Sequence, residues 1–475
     1  SDLLNFEINS EIIRNIPEID YEEIEIKDDT KIFNNKNNKN NKNNKNYFQI
    51  KYIRFKYIKI LFSLAQKYLL YLFYFFVNKK NYFIYISPKI KSKTNLIIRK
   101  KFKQPNIKFN FKKLDFNLSY SFSLRKKLSS NLNFEALNSF EKFLKKKFIT
   151  MLPLCYLEGY QNLVATNVEN KKKQVPKVMF LHFDEIMNEN ATYLEWVGYN
   201  KINGSKIFLI QTGGGLFTPK LEIREEFTKK KIYDVLFHYG KKDFGKKIIG
   251  AGFERMFFDE KVKSDPNGNI IFALYPGDGY STGLLSTTKR FQDDWSEYLE
   301  DIINFIERLN PQIREKIIIR LKKRHHVNEA NRDYFNTEKN LRKKFPKLRF
   351  DNYKKRLNDM LPDTSIVIVT HNSTTLLETL SKNIPTIMLM DFNKHKLSDT
   401  ADKFYKNLSA VGILHFKAES ASEKLLTVWK NPDEWWNSKE VQKVRQEFCD
   451  EYAFLPNDYE KFFLEKISNQ INRIN

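Results

Sequence analysis

A cluster of small polar residues follows an apolar segment in the second half of the chain. The segment 365–369 is typical of a buried strand, and a helix that carries Glu378 follows the cluster. A helix N-terminus attracts anions, and hydroxyl groups add donors for phosphate oxygens. Ser373 as a simple cap, with Glu378 completing a capping box, is the alternative, but one cap needs one polar residue. We therefore predict a nucleotide phosphate at this turn, with Glu378 accepting from ribose hydroxyls. The cluster consists of His371, Asn372, Ser373, Thr374 and Thr375.

Two glycine-rich turns follow other predicted strands. In QTGGGLF, residues 211–217, Gly213 and Gly214 allow a ligand to approach the backbone closely, although a plain tight turn explains them equally well. In YPGDGYSTG, residues 275–283, Asp278 and Ser281 lie at the tip. We predict that both turns contribute to the donor site.

Positive charge for a diphosphate is available on a third strand, 316–323. Arg320 lies within its apolar run, where an arginine needs a partner, and a phosphate is the partner that we predict. The two histidines that follow point to opposite faces of a strand and have no acidic or cysteine partner at ligand spacing, so no metal site is expected. Basic residues beyond Arg320 include Lys322, Arg324, His325 and His326.

A general base is expected in the first half of the chain. Glu158 lies in the largely apolar stretch YLEGY, where burial would raise its pKa. His182 lies near the end of the predicted strand 177–183, Asp184 and Glu185 follow it, and all three would lie at the edge of the sheet. We take Glu158, His182 and Asp184 as the catalytic candidates.

The elements that must position these residues alternate between short apolar strands and amphipathic helices. This alternation begins near residue 177, and it continues after the turn DPNG at 265–268, where we predict a domain boundary. Alternation of this kind indicates parallel sheets with crossover helices. We predict an α/β protein with two Rossmann-like domains that face a cleft, preceded by a basic helical extension. A helix is also predicted over 352–360.

Five segments are predicted from these patterns. They are an acidic start with an Asn/Lys low-complexity run at 1–50, a basic aromatic helical region at 51–150, an acceptor-side Rossmann-like domain at 151–265, a nucleotide-donor Rossmann-like domain at 266–430, and a helical tail at 431–475.

The net charge of +25 is concentrated near the N-terminus. Residues 51–134 contain 20 lysines and arginines but one acid, Asp115. Basic and aromatic residues together suit an anionic membrane surface, although a codon bias towards lysine and aromatic residues is an equal explanation. No nucleic-acid-binding motif accompanies them, so no nucleic-acid partner is expected. The apolar stretch 57–77 is broken by Lys59, Gln66 and Lys67 and is predicted to be a buried or interfacial helix rather than a span.

The motifs resemble those of a bacterial family of surface-carbohydrate transferases with the two-domain GT-B fold, distantly related to capsule and glycerophosphate-polymer transferases. The resemblance covers roughly residues 148–463 and depends on the segments 152–160, 210–215, 371–389 and 431–448. It implies that the C-terminal domain binds a nucleotide-activated donor and the N-terminal domain binds the acceptor. Thr212 departs from the pattern, because relatives tend to have a histidine before the glycines.

The sequence therefore predicts a metal-independent glycosyltransferase without a resident cofactor, which uses a nucleotide-sugar donor and a glycan or lipid-linked acceptor. A cytoplasmic location, at the inner face of the membrane, fits such an acceptor. Two alternatives stay open. One is a nucleotide-sugar epimerase on the same scaffold, and the other is a non-catalytic protein associated with membrane or glycan. The presence of only two cysteines, Cys155 and Cys449, excludes a disulfide framework.

Overall fold

The computed structural model describes part of the chain, and the structural statements below concern that part. The described residues are 83–104, 109, 111, 118–133, 135–188, 191–220, 232–257, 262–275, 295–321, 336–392 and 396–473. The low-complexity run and the apolar stretch 57–77 lie outside these residues. No helix among the described residues has the length and apolar character needed to cross a membrane.

The elements before residue 260 include five strands and seven α-helices among the described residues. In chain order they are β1 (Ile84–Ile86), α1 (Ser92–Lys101), α2 (Phe122–Ser130), α3 (Ser139–Met151), α4 (Tyr160–Thr166), α5 (Val168–Lys171), β2 (Val178–His182), α6 (Phe183–Asn188), α7 (Ala191–Ile202), β3 (Lys206–Ile210), β4 (Val235–His238) and β5 (Ile248–Gly250).

The later part of the chain adds six strands and nine α-helices among the described residues. They are β6 (Asn269–Leu274), α8 (Trp295–Glu307), α9 (Pro311–Lys316), β7 (Ile317–Leu321), α10 (Thr337–Lys344), β8 (Arg349–Phe350), β9 (Thr364–Val369), α11 (Thr374–Ser381), β10 (Thr386–Leu389), α12 (Asp399–Ala410), β11 (Leu414–His415), α13 (Ala418–Val428), α14 (Pro432–Trp436), α15 (Lys439–Tyr452) and α16 (Tyr459–Asn472).

The chain divides into two compact units. The described residues of the first unit, within 121–153, form the helix pair α2 and α3. The second unit contains 83–104, 108–120 and 154–475 and includes both sheets.

The first sheet is entirely parallel, with the strand order β1-β2-β3-β4-β5. Its first strand was not expected. Ile84 pairs with Val178, so β1 belongs to this sheet although it lies in the segment 51–150 that we predicted to be helical. The strand has only three residues and lies in a basic, aromatic region, so no apolar run in the sequence marks it.

The second sheet is also entirely parallel and has the order β11-β10-β9-β6-β7-β8. This is the order of a dinucleotide-binding Rossmann sheet, in which the order reverses between the first and fourth strands. Here those strands are β6 and β9. The α/β prediction with two parallel sheets is therefore confirmed.

Alternating side chains of the central strands build the core on both faces of the second sheet. Val367 and Val369 of β9 belong to one buried cluster, whereas Ile366 and Ile368 belong to the cluster on the opposite face. A strand buried on both faces needs a continuous apolar run, which is why the sequence reveals it. The result is a rigid platform beneath the turn at 370–375.

The predicted helix at 352–360 is wrong. Only a short 3-10 turn, Leu357–Asp359, forms there. Tyr353 adopts a left-handed backbone with φ of 59°, which interrupts an α-helix, and its N–H donates to the Asp351 carboxylate at 3.0 Å. A turn stabilised by the Asp351 carboxylate therefore forms here instead of a helix.

Candidate functional site

The polar turn after β9 lies at the switch point of the second sheet, where ligands of such sheets bind. Thr370 directly follows the strand, and its hydroxyl forms a hydrogen bond of 2.7 Å with the Tyr298 hydroxyl. The same tyrosine oxygen accepts from the Tyr275 N–H at 2.9 Å. The carboxyl ends of β6 and β9 are thereby fixed to α8, and the turn begins from a defined position. Its second residue, His371, is buried.

Asn372 connects the turn to other elements instead of projecting towards solvent. Its side chain is completely buried, its Nδ2 donates to Thr218 Oγ1 at 3.0 Å, and its Oδ1 accepts from the Tyr405 hydroxyl at 2.6 Å. Thr218 in turn donates to the Gly215 carbonyl at 2.7 Å. We predicted that Asn372 binds the nucleotide donor, but both polar atoms of its amide are used in hydrogen bonds within the protein.

The glycine-rich turn after β3 lies directly against the N-terminus of α11. The Gly214 N–H donates to Thr374 Oγ1 at 3.0 Å. A Cβ at Gly214 would lie 2.4 Å from both the Ser373 carbonyl carbon and the Thr374 nitrogen, so only glycine fits here. Gly213 has open space at the same point. The fold thus brings together the two turns that the sequence singled out separately.

Ser373 occupies the cap position of α11 but does not behave as a cap. Its backbone is extended, and its side chain makes no capping hydrogen bond. Ser373, Thr374 and Thr375 are all half-buried. The simple-cap explanation therefore does not account for this serine.

The segment that leaves the glycine turn is held in a strained conformation. Phe217 has φ of 66°, an unusual value for an aromatic residue. Beyond it, the Ser398 N–H donates to the Thr218 carbonyl at 2.9 Å, and the Lys220 N–H donates to the Lys396 carbonyl at 2.9 Å. Contacts distant in sequence, rather than local preference, fix this part of the turn.

Gln211 supports the glycine turn, and His238 stabilises the neighbouring turn after β4. Gln211 accepts from the Tyr239 N–H at 2.9 Å and donates to the Gly213 carbonyl at 2.7 Å. His238 Nδ1 accepts from the Gly240 N–H at 3.0 Å, so its Nε2 carries the proton towards the Lys242 carbonyl at 2.7 Å. Burial lowers the pKa of His238 to about 4. Both side chains have complete structural roles.

Glu378 faces the first sheet and forms an ion pair. Its carboxylate lies 2.9 Å from the Arg255 Nε. The arginine side chain is half exposed, while the glutamate is largely buried. We did not predict Arg255, which sits in a short 3-10 turn after β5. The only sequence signal was an arginine inside the apolar segment 249–257.

His182 and Asp184 lie close to this ion pair. Burial lowers the pKa of His182 to about 4, with Lys89 and Arg255 acting in the same direction and Asp184 opposing them. The imidazole is therefore neutral at pH 7. Glu185 fixes the backbone there, since its carboxylate accepts from the His182 N–H at 2.5 Å. Burial also raises the pKa of Glu185.

Tyr239 is influenced by charged groups from both sheets. Burial raises its pKa, and so do the charges of Glu254, Glu378 and Asp184, while Arg255 acts in the opposite direction. The predicted ribose ligand Glu378 contacts Arg255, and both Arg255 and Asp184 act on His182. This cluster combines a neutral imidazole, two carboxylates and a guanidinium at the carboxyl ends of parallel strands.

The remaining predicted residues lie elsewhere or outside the described part. Glu158 is half-buried in the turn before α4. Arg320 pairs with the Asp351 carboxylate and lies 3.3 Å from both the Lys355 carbonyl and Met360 Sδ. Asp351, rather than a phosphate, accounts for this arginine. The predicted residues outside the described part are Asp278, Ser281, Lys322, Arg324, His325 and His326.

A family model, described as LIC12162 family transferase, matches residues 1–467. The chain belongs to this transferase family. The prediction that the protein is a transferase is therefore confirmed. No curated protein matches the chain.

Several solved structures resemble the LIC12162 family member weakly. A glycosyltransferase from Rickettsia africae is 12% identical, covering 83% of this chain and 99% of its own, with a TM-score of 0.37. The wall teichoic acid polymerase TagF is 10% identical, with coverages of 66% and 85% and a TM-score of 0.32. Acinetobacter baumannii MurG is 12% identical, with coverages of 81% and 90% and a TM-score of 0.32. These TM-scores are too low to carry a conclusion about this transferase.

Proposed function

We propose that this transferase moves a sugar, or a related group, from a nucleotide-activated donor to a surface glycan or lipid-linked acceptor. The observation that carries the proposal is the meeting of Gly214 and Thr374 at the switch point of the second sheet. A glycine backbone and a hydroxyl-lined helix N-terminus at that place offer N–H and O–H donors to a diphosphate. Opening of this contact would admit the donor.

The donor phosphates would contact the backbone at Gly213 and Gly214 and the hydroxyls of Ser373, Thr374 and Thr375. Negative charge develops on the leaving nucleotide as the bond to the sugar breaks. Fixed N–H and O–H dipoles stabilise that charge without having to reorganise. The donor is a substrate in this scheme, and the proposed reaction uses no resident cofactor.

His182 is the proposed base that accepts the proton of the acceptor hydroxyl. It is neutral at pH 7 and therefore able to take a proton. Its low pKa makes it a weak base in the empty site, but a bound diphosphate would favour the imidazolium and raise that pKa. Asp184, which already opposes the lowering, would stabilise the imidazolium. Glu158 is the proposed alternative base.

Arg255 and Glu378 would align the donor between the two sheets. Glu378 would accept from ribose hydroxyls, as predicted, while Arg255 keeps the carboxylate oriented. Acceptors carried by lipids would place this site at an anionic membrane surface on the cytoplasmic side, and no nucleic acid takes part.

A nucleotide panel tests the proposal. CMP, CDP, UDP, GDP and TDP are added separately, and thermal unfolding is followed, because a ligand that binds the folded state raises the melting temperature. Ser373→Ala combined with Thr375→Ala should abolish the shift, while Ser420→Ala, an exposed serine on α13, should keep it. No stabilisation by any of these nucleotides would sink the proposal.

Product analysis separates transfer from the alternatives. The matching nucleotide-sugar is incubated with and without a glycan acceptor, and sugar products are identified by mass and by chromatography against epimer standards. Nucleotide release that depends on the acceptor supports transfer. A changed sugar still attached to its nucleotide, formed without acceptor, indicates an epimerase instead, and binding without turnover indicates a non-catalytic protein.

A further inference from the structure

The helix α3 carries an apolar stripe on its exposed side. Leu137, just before the helix, and Phe140 are 79% and 58% exposed, and Phe148 is 47% exposed. Phe140, half-buried Leu144 and Phe148 are spaced at i, i+4 and i+8, which places them on one face of the helix, and Leu137 lies just before its first turn. The one buried residue of α3, Ile149, lies on the opposite side of the helix. The apolar stripe therefore lies on the side of α3 that faces away from its buried residue.

The pair α2 and α3 is built to hold this face rigid. Arg125 of α2 is buried, and its Nη1 contacts the carbonyl oxygens of Ile149, Thr150 and Leu152 at 2.6, 3.1 and 2.9 Å. At the other end, the Glu141 N–H donates to Asn138 Oδ1 at 2.9 Å, and the Glu141 carboxylate accepts from the Leu137 N–H at 2.6 Å. Both ends of α3 are thus fixed.

The charge around the stripe is strongly positive. Residues 121–151 contain seven lysines and arginines against two glutamates, and one of these carboxylates is already used in the helix cap. Most lysines of α3 lie away from the stripe. The exposed ones are Lys142, Lys145 and Lys146. A helix with aromatic and leucine residues on one face and lysines on the other is typical of binding in the plane of a membrane interface.

We propose that the stripe of Leu137, Phe140, Leu144 and Phe148 docks on an anionic lipid bilayer, with the lysines of α2 and α3 attracted to the headgroups. Phe122 of α2, which is 79% exposed, extends the apolar surface of the same helix pair. The inference rests on the proposed function, which calls for an acceptor at a membrane, and it names the element that makes the contact. Burial of the apolar side chains in the bilayer would attach the protein, and the attraction of the lysines to anionic headgroups would make it prefer anionic lipid.

Vesicle flotation tests the docking without donor or acceptor present. The full chain is mixed with vesicles of equal parts phosphatidylglycerol and phosphatidylcholine, or with phosphatidylcholine alone. We expect flotation with the anionic vesicles, and weakening of it by added salt, because salt screens exposed charges. Phe140→Ser combined with Phe148→Ser should reduce the bound fraction at least tenfold. Ile202→Ser, which removes an 87% exposed side chain from α7, is the matched control and should float as the parent does.

A fluorescent probe distinguishes docking of the stripe on the bilayer from burial of the stripe under another part of the chain, such as residues 57–77. Phe148→Cys in a Cys155→Ser background carries a polarity-sensitive dye, and spin-labelled lipid serves as a quencher. A blue shift that appears with anionic vesicles and is quenched by the lipid supports the proposal. A blue shift already present without vesicles, or equal flotation of the Phe140/Phe148 variant, overturns it. Transfer to a water-soluble acceptor is measured separately, so loss of docking and failure of the proposed function are distinguishable.

Discussion

The guanidinium of Arg255 meets the carboxylate of Glu378 at 2.9 Å and joins the carboxyl-end turns of the two sheets. Because the arginine is half exposed, solvent screens the pair and its contribution to folding is small. The same pair acts electrostatically on Tyr239, and its arginine also acts on His182. Its position therefore suits a role in the reaction more than a role in stability.

Removing this ion pair should affect turnover more than folding. We expect Glu378→Gln and Arg255→Gln each to change the free energy of unfolding by less than about 1 kcal/mol and to lower the transfer rate about tenfold or more, because the donor loses its alignment. Urea unfolding and nucleotide-release assays provide the two readouts. Arg342→Gln is the control, since it removes a surface pair with Glu338 on α10. Full activity of both variants would contradict the assigned role.

An alanine scan of the glycine turn should separate two adjacent glycines. Gly214→Ala should destabilise the protein by about 1–3 kcal/mol, because the added Cβ would lie 2.4 Å from backbone atoms of Ser373 and Thr374. Gly213→Ala should be nearly neutral in stability, since its Cβ would enter open space. Melting temperatures of the two variants decide the matter. Equal stability would show that the turn and α11 do not stay in contact in solution.

The buried amide of Asn372 should contribute to stability, in contrast to its neighbour in the sequence. Asn372→Ala leaves the Tyr405 hydroxyl without its acceptor and should lower the free energy of unfolding by about 1–3 kcal/mol. Ser373→Ala should change stability by less than about 0.5 kcal/mol, because Ser373 makes no capping bond. Chemical denaturation measures both. A larger loss for Ser373→Ala would be inconsistent with this division of roles.

Acid should destabilise the protein through His238. Its pKa of about 4 in the folded state lies below the ordinary value of 6.5, so between these values the unfolded chain binds a proton that the folded chain does not. Stability is therefore fully present above about pH 6.5, declines as the pH falls, and levels off below about pH 4, with a total loss of about 3 kcal/mol.

The pH dependence of unfolding in urea checks this, with His238→Gln as the comparison. The variant should be less stable at pH 7, because two hydrogen bonds of the imidazole are disturbed. Its decline between pH 6.5 and pH 4 should nevertheless be shallower than that of the parent. Identical slopes would assign the acid sensitivity to other groups, of which His182 is the next candidate.

Local patterns in the sequence located many elements because each depends on near neighbours. The predicted strand 177–183 contains the observed β2, Val178–His182. The same reasoning located the turn at the end of β9, since a buried strand must end where the polar run begins. It was wrong over 352–360, where the left-handed backbone of Tyr353 and the Asp351 carboxylate stabilise a turn instead of a helix.

The sequence by itself determined the alternation of strands and helices, the ends of the main strands and the polar and glycine-rich turns that follow them. Only the tertiary structure decided which side chains meet there. It placed Gly214 against Thr374, gave Glu378 the partner Arg255, and gave Arg320 the partner Asp351. Periodicity fixes an element through neighbours three or four positions apart, whereas such pairings depend on strand order and packing between segments far apart in the chain.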